Sequence, residues 1–408
     1  MHRLSFRLVF CASIAFALTI ATTPIARAQT FTVIHSFNGE PDGENPLAGV
    51  AIDAAGNLYG TTENGLYDIH GTVFKLTPKA SGWVCTILHG FHWDDGAFPQ
   101  TNVIFGPDGS LYGTTDGGGR SGNGTVFELK PPARACLTAL CPWTETVIYN
   151  FNVNDGWDAN DIVFDPVGNI YGTTAQGGAY GKGMVYKLTP SNGSWVESTL
   201  FAPNGLGSPA SGVILDQAGN LYGTTYIGDS GTAYELTSPG WEFKVLHEFH
   251  GSDGVLPSYG LIFDSSGNLY GATLAGGAND AGTVYELTPS NGSWTLTTLY
   301  SFTGGASGGY YVGSASLTMD AAGNLYGTKP SDGAYGYGSV FKLSPSNGGW
   351  TYTSLHDFCA GGWPCSDGAM PWSTVVFDSK GNLYGTAYYG GANCRVGDGC
   401  GVVWEITP

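Results

Sequence analysis

The chain has 408 residues, of which 65 are glycine, while charged residues make up only 12% and aromatic residues reach 13%. Disordered chains carry many charges and few aromatic residues, collagen needs a strict Gly-X-Y period, and coiled coils need heptads rich in Ala, Glu, Lys and Leu. The composition excludes these three classes. It predicts an all-β protein that is rich in turns and long enough to bury a large core.

The first 28 residues have the pattern of a secretory signal peptide. Two arginines precede an apolar run at residues 8–20, and Ala26-Arg27-Ala28 resembles a cleavage site. The apolar run is too short for a transmembrane anchor. Cys11 suggests a lipoprotein, but most of the apolar run follows this cysteine. We therefore expect a mature chain that begins near Gln29, is secreted or periplasmic, and does not insert into a membrane.

The charge balance limits the partners. The formal net charge is −18, and removal of the leader, which holds three arginines and no acidic residue, makes it −21. Such a surface repels phosphate backbones and anionic lipids, so we expect no nucleic-acid partner. Cations, neutral glycans and basic proteins remain as partners, or the acidity serves only to keep an exported protein in solution.

Cysteine usage fits an oxidising compartment. Seven cysteines follow the leader, and six of them form close pairs that we interpret as short disulfide loops. These pairs are Cys136/Cys141, Cys359/Cys365 and Cys394/Cys400. Metal binding is the alternative, but the spacings are not Cys-x-x-Cys and no histidine stands at a suitable offset. Cys85 is left over in an apolar strand pattern, which predicts a buried thiol.

An internal repeat gives the main signal. The string Gly-Asn-Leu-Tyr-Gly-Thr-Thr recurs with small variations in seven copies, at steps of 48 to 59 residues. The copies begin at Gly56, Gly109, Gly168, Gly219, Gly267, Gly323 and Gly381. Periods of this length with strand-like segments are typical of β-propellers, in which each repeat forms one blade. The sequence predicts one domain over residues 29–408, an all-β seven-bladed propeller.

Each copy divides into four strand-like runs, and the chain ends predict how the ring closes. Residues 31–37 have the pattern of a fourth strand, and residues 402–406 that of a third strand. The N-terminal strand should therefore complete the last blade, which leaves no open sheet edge.

Repeated aspartates and histidines invite a metal hypothesis. An aspartate precedes the turn of six copies, as at Asp264, where its side chain can instead accept backbone N–H bonds and fix the turn. Four histidines share one fourth-strand position: His35, His89, His247 and His356. Because histidines on different outer strands cannot meet at one zinc ion, we interpret them as structural and predict no metal or other cofactor.

The third strand carries a charge at one position of every copy. In chain order these residues are Lys75, Glu128, Lys187, Glu235, Glu286, Lys342 and Glu405. The signs mostly alternate around the predicted ring. We therefore expect weak ion pairs between neighbouring blades, each worth at most about 1 kcal/mol.

Loops after the second and fourth strands should share one face of a propeller, and the long variable segments lie there. This face carries an Asp-Gly step in five of the seven inter-blade loops, together with loop tryptophans. The candidate ligand-binding residues are Asp42, Trp93, Asp95, Asp155, Trp157, Asp253, Trp363 and Asp367. Carboxylates beside exposed aromatic rings suit a sugar or a ligand that bears a cation. The alternative is that Asp-Gly only makes the turn and the rings cover the blade ends.

No catalytic motif stands out: a nucleophile elbow, a His-Glu-x-x-His site, a Walker loop and an EF-hand loop are all missing. We therefore expect a monomeric binding module that recognises a glycan or a protein through this face. The alternatives are a carbohydrate-active hydrolase or lyase that uses loop carboxylates, and a structural envelope protein. Carboxylates from different blades that converge on an axial pocket would favour the enzyme.

The repeat unit also resembles a known family. Residues Gly267–Phe302 carry Gly-Asn-Leu-Tyr-Gly, then Gly-Gly-Ala, Gly-Thr-Val-Tyr-Glu-Leu-Thr-Pro, Trp and Leu-Tyr-Ser-Phe. This pattern resembles the bacterial choice-of-anchor tandem repeat GloVer family over essentially the whole mature chain. The resemblance implies a secreted or surface-displayed repeat protein and no particular activity. Members often end in a sorting anchor, whereas this sequence stops at Pro408 without an apolar tail, so we expect a released or periplasmic protein.

Overall fold

A computed structural model of the protein describes residues 29–408 except 40, 66, 133–141, 228–229, 305–315 and 393–398. The described residues form seven antiparallel sheets arranged in a ring, a seven-bladed β-propeller. The predicted fold class is therefore confirmed. The expected signal peptide and the cysteines at positions 136, 141 and 394 lie outside the described residues.

The first four blades lie in chain order. Blade 1 contains β2 (Ala51–Ile52), β3 (Leu58–Thr62), β4 (Thr72–Lys79) and β5 (Gly82–Gly90); blade 2 contains β6 (Ile104–Phe105), β7 (Leu111–Thr115), β8 (Thr125–Lys130) and β9 (Thr144–Asn150). Blade 3 contains β10 (Trp157–Ala159), β11 (Val163–Phe164), β12 (Ile170–Gln176), β13 (Met184–Ser191) and β14 (Ser194–Phe201). Blade 4 contains β15 (Ser208–Pro209), β16 (Ile214–Leu215), β17 (Leu221–Ile227), β18 (Ser230–Thr237) and β19 (Glu242–Phe249).

The other three blades repeat this plan. Blade 5 contains β20 (Ile262–Phe263), β21 (Leu269–Ala272), β22 (Thr283–Ser290) and β23 (Ser293–Ser301); blade 6 contains β24 (Thr318–Met319), β25 (Leu325–Lys329), β26 (Ser339–Ser346) and β27 (Gly349–Asp357). Blade 7 contains β28 (Val376–Phe377), β29 (Leu383–Ala387), β30 (Val402–Thr407) and the N-terminal β1 (Thr30–Ser36). Within the described ranges, helical structure is limited to a 3₁₀ turn at Gly251–Asp253.

The ring closes as predicted, because β1 pairs with β30 in antiparallel register. Phe31 lies opposite Ile406, and Val33 lies opposite Trp404. The Trp404 side chain is fully buried in the core between blades 6 and 7. The pairing gives the last blade its outer strand and leaves the ring without an open edge.

The glycine of the Leu-Tyr-Gly-Thr-Thr strand is explained by an aromatic ring on the third strand. In blade 3, Gly172 pairs with Tyr186, and a Cβ atom added at Gly172 would lie 2.6 Å from the Tyr186 ring. The other blades place Phe, Tyr or Trp opposite the same glycine. The aromatic side chain therefore packs directly over the glycine backbone and fills the core of the blade.

The repeated turn aspartates accept hydrogen bonds from their own turn, which confirms the structural interpretation. Asp264 Oδ1 accepts the N–H groups of Ser266 (2.8 Å) and Asn268 (2.9 Å), and Oδ2 accepts the Asn268 side chain. Burial alone raises the pKa of the Asp264 carboxyl, but these hydrogen bonds together lower the pKa below its usual value. In blade 2, glycine takes the aspartate position, and Asp108 accepts two hydrogen bonds from Ser110 instead.

The third-strand charges do not form the expected pairs between blades. Each one contacts the second-strand tyrosine of its own blade. Glu286 accepts a hydrogen bond from Tyr270 (2.9 Å), whereas the Lys187 ammonium lies 5.4 Å from the centre of the Tyr171 ring. Three other glutamates and two other lysines make the same contacts. Register explains the difference, because the charge and the tyrosine are direct cross-strand neighbours.

Candidate functional site

Loops after the second and fourth strands lie at one end of the ring, and their described residues are here called the loop-rich face. In the described ranges, backbone bridges or short strand pairs join six inter-blade loops to the end of the next second strand or to the segment that follows it. Examples are Ala97 with Gly117, Val255 with Ala275, and Ala369 with Tyr389. The two sets of loops are therefore held together as a firm surface at one end of the ring.

The Asp-Gly aspartates of this face bind their own loops and the outer strand before them. Asp253 Oδ2 lies 2.8 Å from His247 Nε2, and Oδ1 accepts the N–H group of His250. The same pairing joins Asp42 to His35 (2.8 Å), Asp95 to His89 (3.1 Å), Asp155 to Tyr149 (2.6 Å) and Asp367 to His356 (3.0 Å). Each carboxylate thus fixes the path of an inter-blade loop, and its contact with a ligand stays a prediction.

Blade 3 lacks both the polar ring and the Asp-Gly aspartate. Its fourth strand has Phe201 at the histidine position, and the loop that follows has no Asp-Gly step. Phe201 instead stacks on Phe243 of the next blade, with 4.3 Å between the ring centres. Each Asp-Gly aspartate therefore follows a strand with a polar ring at this position, but the converse does not hold, because blade 5 has Tyr300 there and no Asp-Gly step in the loop that follows.

Two further features hold the Asp-Gly loop in place. Gly254 has φ of 119°, and a Cβ atom there would lie 2.6 Å from Thr273 Cγ2, so only glycine fits. Thr283 Oγ1 donates a hydrogen bond to the carbonyl of Asp253 (3.0 Å) and pairs with Thr273 Oγ1. The two threonines therefore tie the loop to the second and third strands of the blade.

Exposed aromatic side chains concentrate on the loop-rich face. Of the predicted tryptophans, Trp93 is 49%, Trp157 36% and Trp363 44% exposed. Four tyrosines that we did not select from the sequence join them: Tyr67, Tyr180, Tyr226 and Tyr335. Phe105, near the opposite end of the ring, is the other exposed aromatic side chain in the described ranges. The sequence could have predicted that these tyrosines lie on this face, since they stand in or next to loops that follow second strands.

A groove runs along the blade 1 part of this face. One cavity of about 440 Å³ is lined by Pro41, Tyr67, Asp68 and Ile69, with several glycines. A second cavity of about 600 Å³ shares Pro41 and Ile69 and extends to His92. Trp93 stands beside the groove and contacts His70 edge-on, with 5.5 Å between the ring centres. The groove therefore combines aromatic surface with polar groups.

A pocket of about 200 Å³ lies on the axis and is lined by residues of all seven blades. Most of the lining residues are small, but Asp161 contributes a carboxylate. It accepts hydrogen bonds from the Asn102 backbone N–H (2.8 Å) and side-chain amide (2.9 Å). Burial raises the pKa of Asp161.

Three carboxylates from three blades meet beside this pocket. Glu63 Oε1 accepts a hydrogen bond from Gln100, which lines the pocket, and Oε2 accepts one from Tyr388 (2.6 Å). Burial, followed by the charges of Asp158 and Glu63, raises the pKa of Asp116 to about 6, and the Asp116 and Asp158 carboxyls share a hydrogen bond. We did not select these residues from the sequence, because neighbouring blades bring them together.

Ligand atoms for a metal ion also gather where neighbouring blades meet. From the sequence we compared only histidines with one another, and these do lie on separate blades. Among the described residues, two groups have their ligand atoms within 4.8 Å of one another: His35, Asp42 and Cys85, and His89, Asp95 and Glu145. Burial raises the pKa of the Cys85 thiol to about 12, so this thiol is protonated at neutral pH. The sequence comparison did not consider a third residue from the next blade, and the expectation of no metal stays a prediction.

The ring of seven blades, each built on four strands and with a short fifth strand in blades 3 and 4, defines a β-propeller whose loop-rich face displays aromatic and carboxylate groups. The chain belongs to the Gloeobacter/Verrucomicrobia repeat family, whose profile matches residues 14–142 and 227–408. The resemblance stated from the repeat unit is confirmed. Comparison with curated proteins gives no match.

Solved structures of similar shape come from B. thetaiotaomicron. The extracellular domain of a protein described as a hybrid two-component system, BT3049, is 13% identical with a TM-score of 0.55, and the match covers 93% of this chain and 41% of the other. The extracellular domain of a one-component system, BT4673, is 12% identical with a TM-score of 0.56, and the match covers 91% and 39%. The chain thus spans about two fifths of the length of these neighbours. At this identity the likeness shows the fold alone.

In the described ranges, no helical segment has the length and apolar character needed to cross a bilayer.

Proposed function

We propose that this protein is an exported binding module whose loop-rich face holds a neutral glycan in the blade 1 groove. The observation that carries the proposal is the concentration of exposed aromatic rings on this one face, beside a groove. Tyr67, which is 87% exposed, and Trp93 supply the stacking surfaces. Sugar rings stack their apolar C–H faces on such rings and direct their hydroxyls toward polar groups.

Polar groups of the groove suit hydroxyl recognition. Asp68 and His92 are exposed there, and His92 Nδ1 lies 3.1 Å from the Asp68 carbonyl. The mature net charge of −21 disfavours anionic polysaccharides, which is why we propose a neutral glycan. A protein ligand on the same face is the alternative. The leader pattern and the paired cysteines support export, and we expect the module to act as a monomer.

Glycan binding is tested with purified mature protein on a glycan array and in polysaccharide pull-downs. Trp93→Ala and Tyr67→Ala should each weaken binding about tenfold or more, because each removes a stacking surface. Phe105→Ala is the matched control, since it removes an exposed aromatic ring outside the loop-rich face. Absence of binding by the parent protein, or equal loss in the control, would contradict the glycan proposal and leave a protein ligand.

A second candidate is a carbohydrate-active hydrolase or lyase. The observation that favours it is the meeting of Glu63, Asp116 and Asp158 from three blades beside the axial pocket. A carboxyl with a pKa of about 6 can act as a general acid near neutral pH, and a neighbouring carboxylate would serve as the base. Cleavage products in the bound fraction, abolished by Asp116→Asn while binding persists, would establish the enzyme. Intact glycan in every fraction would rule it out.

A further inference from the structure

Five of the seven boundaries between blades have three residue positions together at the outer edge. The first is the polar ring of a fourth strand, the second is the Asp-Gly aspartate that follows it, and the third belongs to the fourth strand of the next blade. The third position is the one paired with a leucine or isoleucine of the adjacent third strand, as Glu145 pairs with Leu129. Around the ring it is occupied by Cys85, Glu145, Glu197, Phe243, Leu296, Tyr352 and Phe31.

The boundary between blades 1 and 2 fills all three positions with groups that can bind a metal. His89 Nε2 lies 3.1 Å from Asp95 Oδ2, and a carboxylate oxygen of Glu145 lies within 4.8 Å of both ligand atoms. Asp95 Oδ1 accepts the His92 N–H at 2.8 Å, which orients the carboxylate. Within the described part of the chain, Glu145 Oε1 is buried and has no hydrogen-bond partner.

We propose that His89, Asp95 and Glu145 form a binding site for a divalent transition-metal ion, with Zn²⁺ as the best match. Zinc takes histidine nitrogen and carboxylate oxygen at about 2.0–2.2 Å, and tetrahedral coordination separates such ligands by about 3.4 Å. A small adjustment of the three side chains brings them to that spacing. A water molecule would complete the coordination. The ion would join the outer strands of two blades that share no ladder of hydrogen bonds.

Electrostatics and the other boundaries support the assignment. Two carboxylates, those of Asp95 and Glu145, lie close together at this site. A bound cation would neutralise this pair. The boundary of blades 4 and 5 also has a His–Asp pair, His247 with Asp253, but Leu296 occupies the third position. The boundary of blades 6 and 7 likewise has a His–Asp pair, with Phe31 at the third position. The chain therefore contains its own controls, which lack the third ligand.

The test is a Zn²⁺ titration of the full mature chain followed by calorimetry, with Cys85→Ala in all proteins so that the thiol contributes nothing. The parent should bind one Zn²⁺ with a Kd of about 1 μM or lower and gain in Tm. Glu145→Gln and His89→Gln should each weaken binding at least about tenfold. His247→Gln, in the boundary with Leu296, should leave the affinity unchanged.

Three results would overturn the proposal. The first is a folded parent protein that binds no Zn²⁺ at about 100 μM. The second is a Glu145→Gln variant that binds as tightly as the parent, and the third is a His247→Gln variant that loses as much affinity as His89→Gln. If Glu145→Gln fails to fold, the His89→Gln and His247→Gln pair decides the question alone. None of these outcomes depends on glycan binding.

Discussion

The aspartates of this protein fall into classes that differ in whether folding lowers or raises the pKa of the carboxyl. Asp264, at one of the repeated turns, is an ionised acceptor of several hydrogen bonds, so folding lowers its pKa. Asp116 is a half-buried carboxyl among other carboxylates, so folding raises its pKa. The first class stabilises the ring, and the second keeps a charged group near the axis at a cost in stability.

Asp264→Ala should destabilise the protein by about 1–2 kcal/mol, because it leaves the N–H groups of Ser266 and Asn268 without their acceptor. Urea unfolding measures the change. Asp264→Asn, which keeps an acceptor oxygen, is the control and should lose less. Since the folded pKa is lowered, this stabilisation exists above about pH 4 and is lost as the pH falls through the folded value. Equal stability of the alanine variant and the parent would contradict the interpretation.

Asp116→Asn should have the opposite pH dependence. The Asp116 carboxyl has a folded pKa of about 6 against about 4 in the unfolded chain, so ionising it costs stability as the pH rises through this interval. At pH 8 the variant should melt about 1–3 °C above the parent, and near pH 4 the two should melt together. Differential scanning calorimetry at both pH values checks this. A variant that is less stable at pH 8 would show that the charge is not penalised.

At the scale of strands and loops, the repeat is stable because each blade contains the contacts that hold its own strands and loops in place. Cross-strand contacts join the second and third strands within a blade, and His–Asp or Tyr–Asp pairs join five of the seven outer strands to the next loop. These contacts are local in register, so each blade can vary its loops without disturbing the next. The loops that carry the exposed aromatic side chains are held in place by these contacts.

Asp253→Ala should lower stability by about 1–3 kcal/mol, because His247 and the His250 N–H lose their shared partner. Glycan binding in the blade 1 groove should stay unchanged, since blade 4 lies elsewhere on the ring. Chemical denaturation and pull-down with the same preparation measure both quantities. Loss of binding at full stability would instead make Asp253 a ligand contact, as the sequence pattern first indicated.

Lys187→Glu should be tolerated, with a change in unfolding free energy within about 0.5 kcal/mol. In four other blades a glutamate at this position contacts the second-strand tyrosine, so the new carboxylate would meet Tyr171 in the same way. Denaturant midpoints of the parent and the variant give the comparison. A loss near 1 kcal/mol or more would restore the hypothesis of ion pairs between blades.

On the scale of the whole molecule, stability depends on closing the ring. The β1 strand covers β30 and completes the core around Trp404 and Phe358. Without it, the last blade would expose an unpaired strand and apolar side chains, which is the usual starting point for aggregation.

A chain that begins at residue 38 should therefore melt at least about 10 °C lower than one that begins at residue 29, and should aggregate more readily. Thermal melting with light scattering tests this directly. A peptide of residues 29–37 added in excess should recover part of the loss, because it can occupy the vacant edge. Equal melting of the two chains would mean that β1 contributes little to ring closure.

The repeat made the ring, the strand order within each blade and the closure by β1 predictable from sequence, because these follow from hydrophobic alternation and turn chemistry repeated seven times. Turn aspartates such as Asp264 were predictable for the same reason, since their partners lie two and four residues away. The exposure of Trp93 followed from its place in a loop.

The tertiary structure alone decided what depends on neighbouring blades. It brought Glu63, Asp116 and Asp158 together beside the axis, and it placed Glu145 beside the His89–Asp95 pair. It also turned the charge of Glu286 toward a tyrosine of its own blade. A sequence period fixes which residues share a strand position. The distance between residues of different blades depends on the curvature of the ring and the register between strands, which the period does not encode.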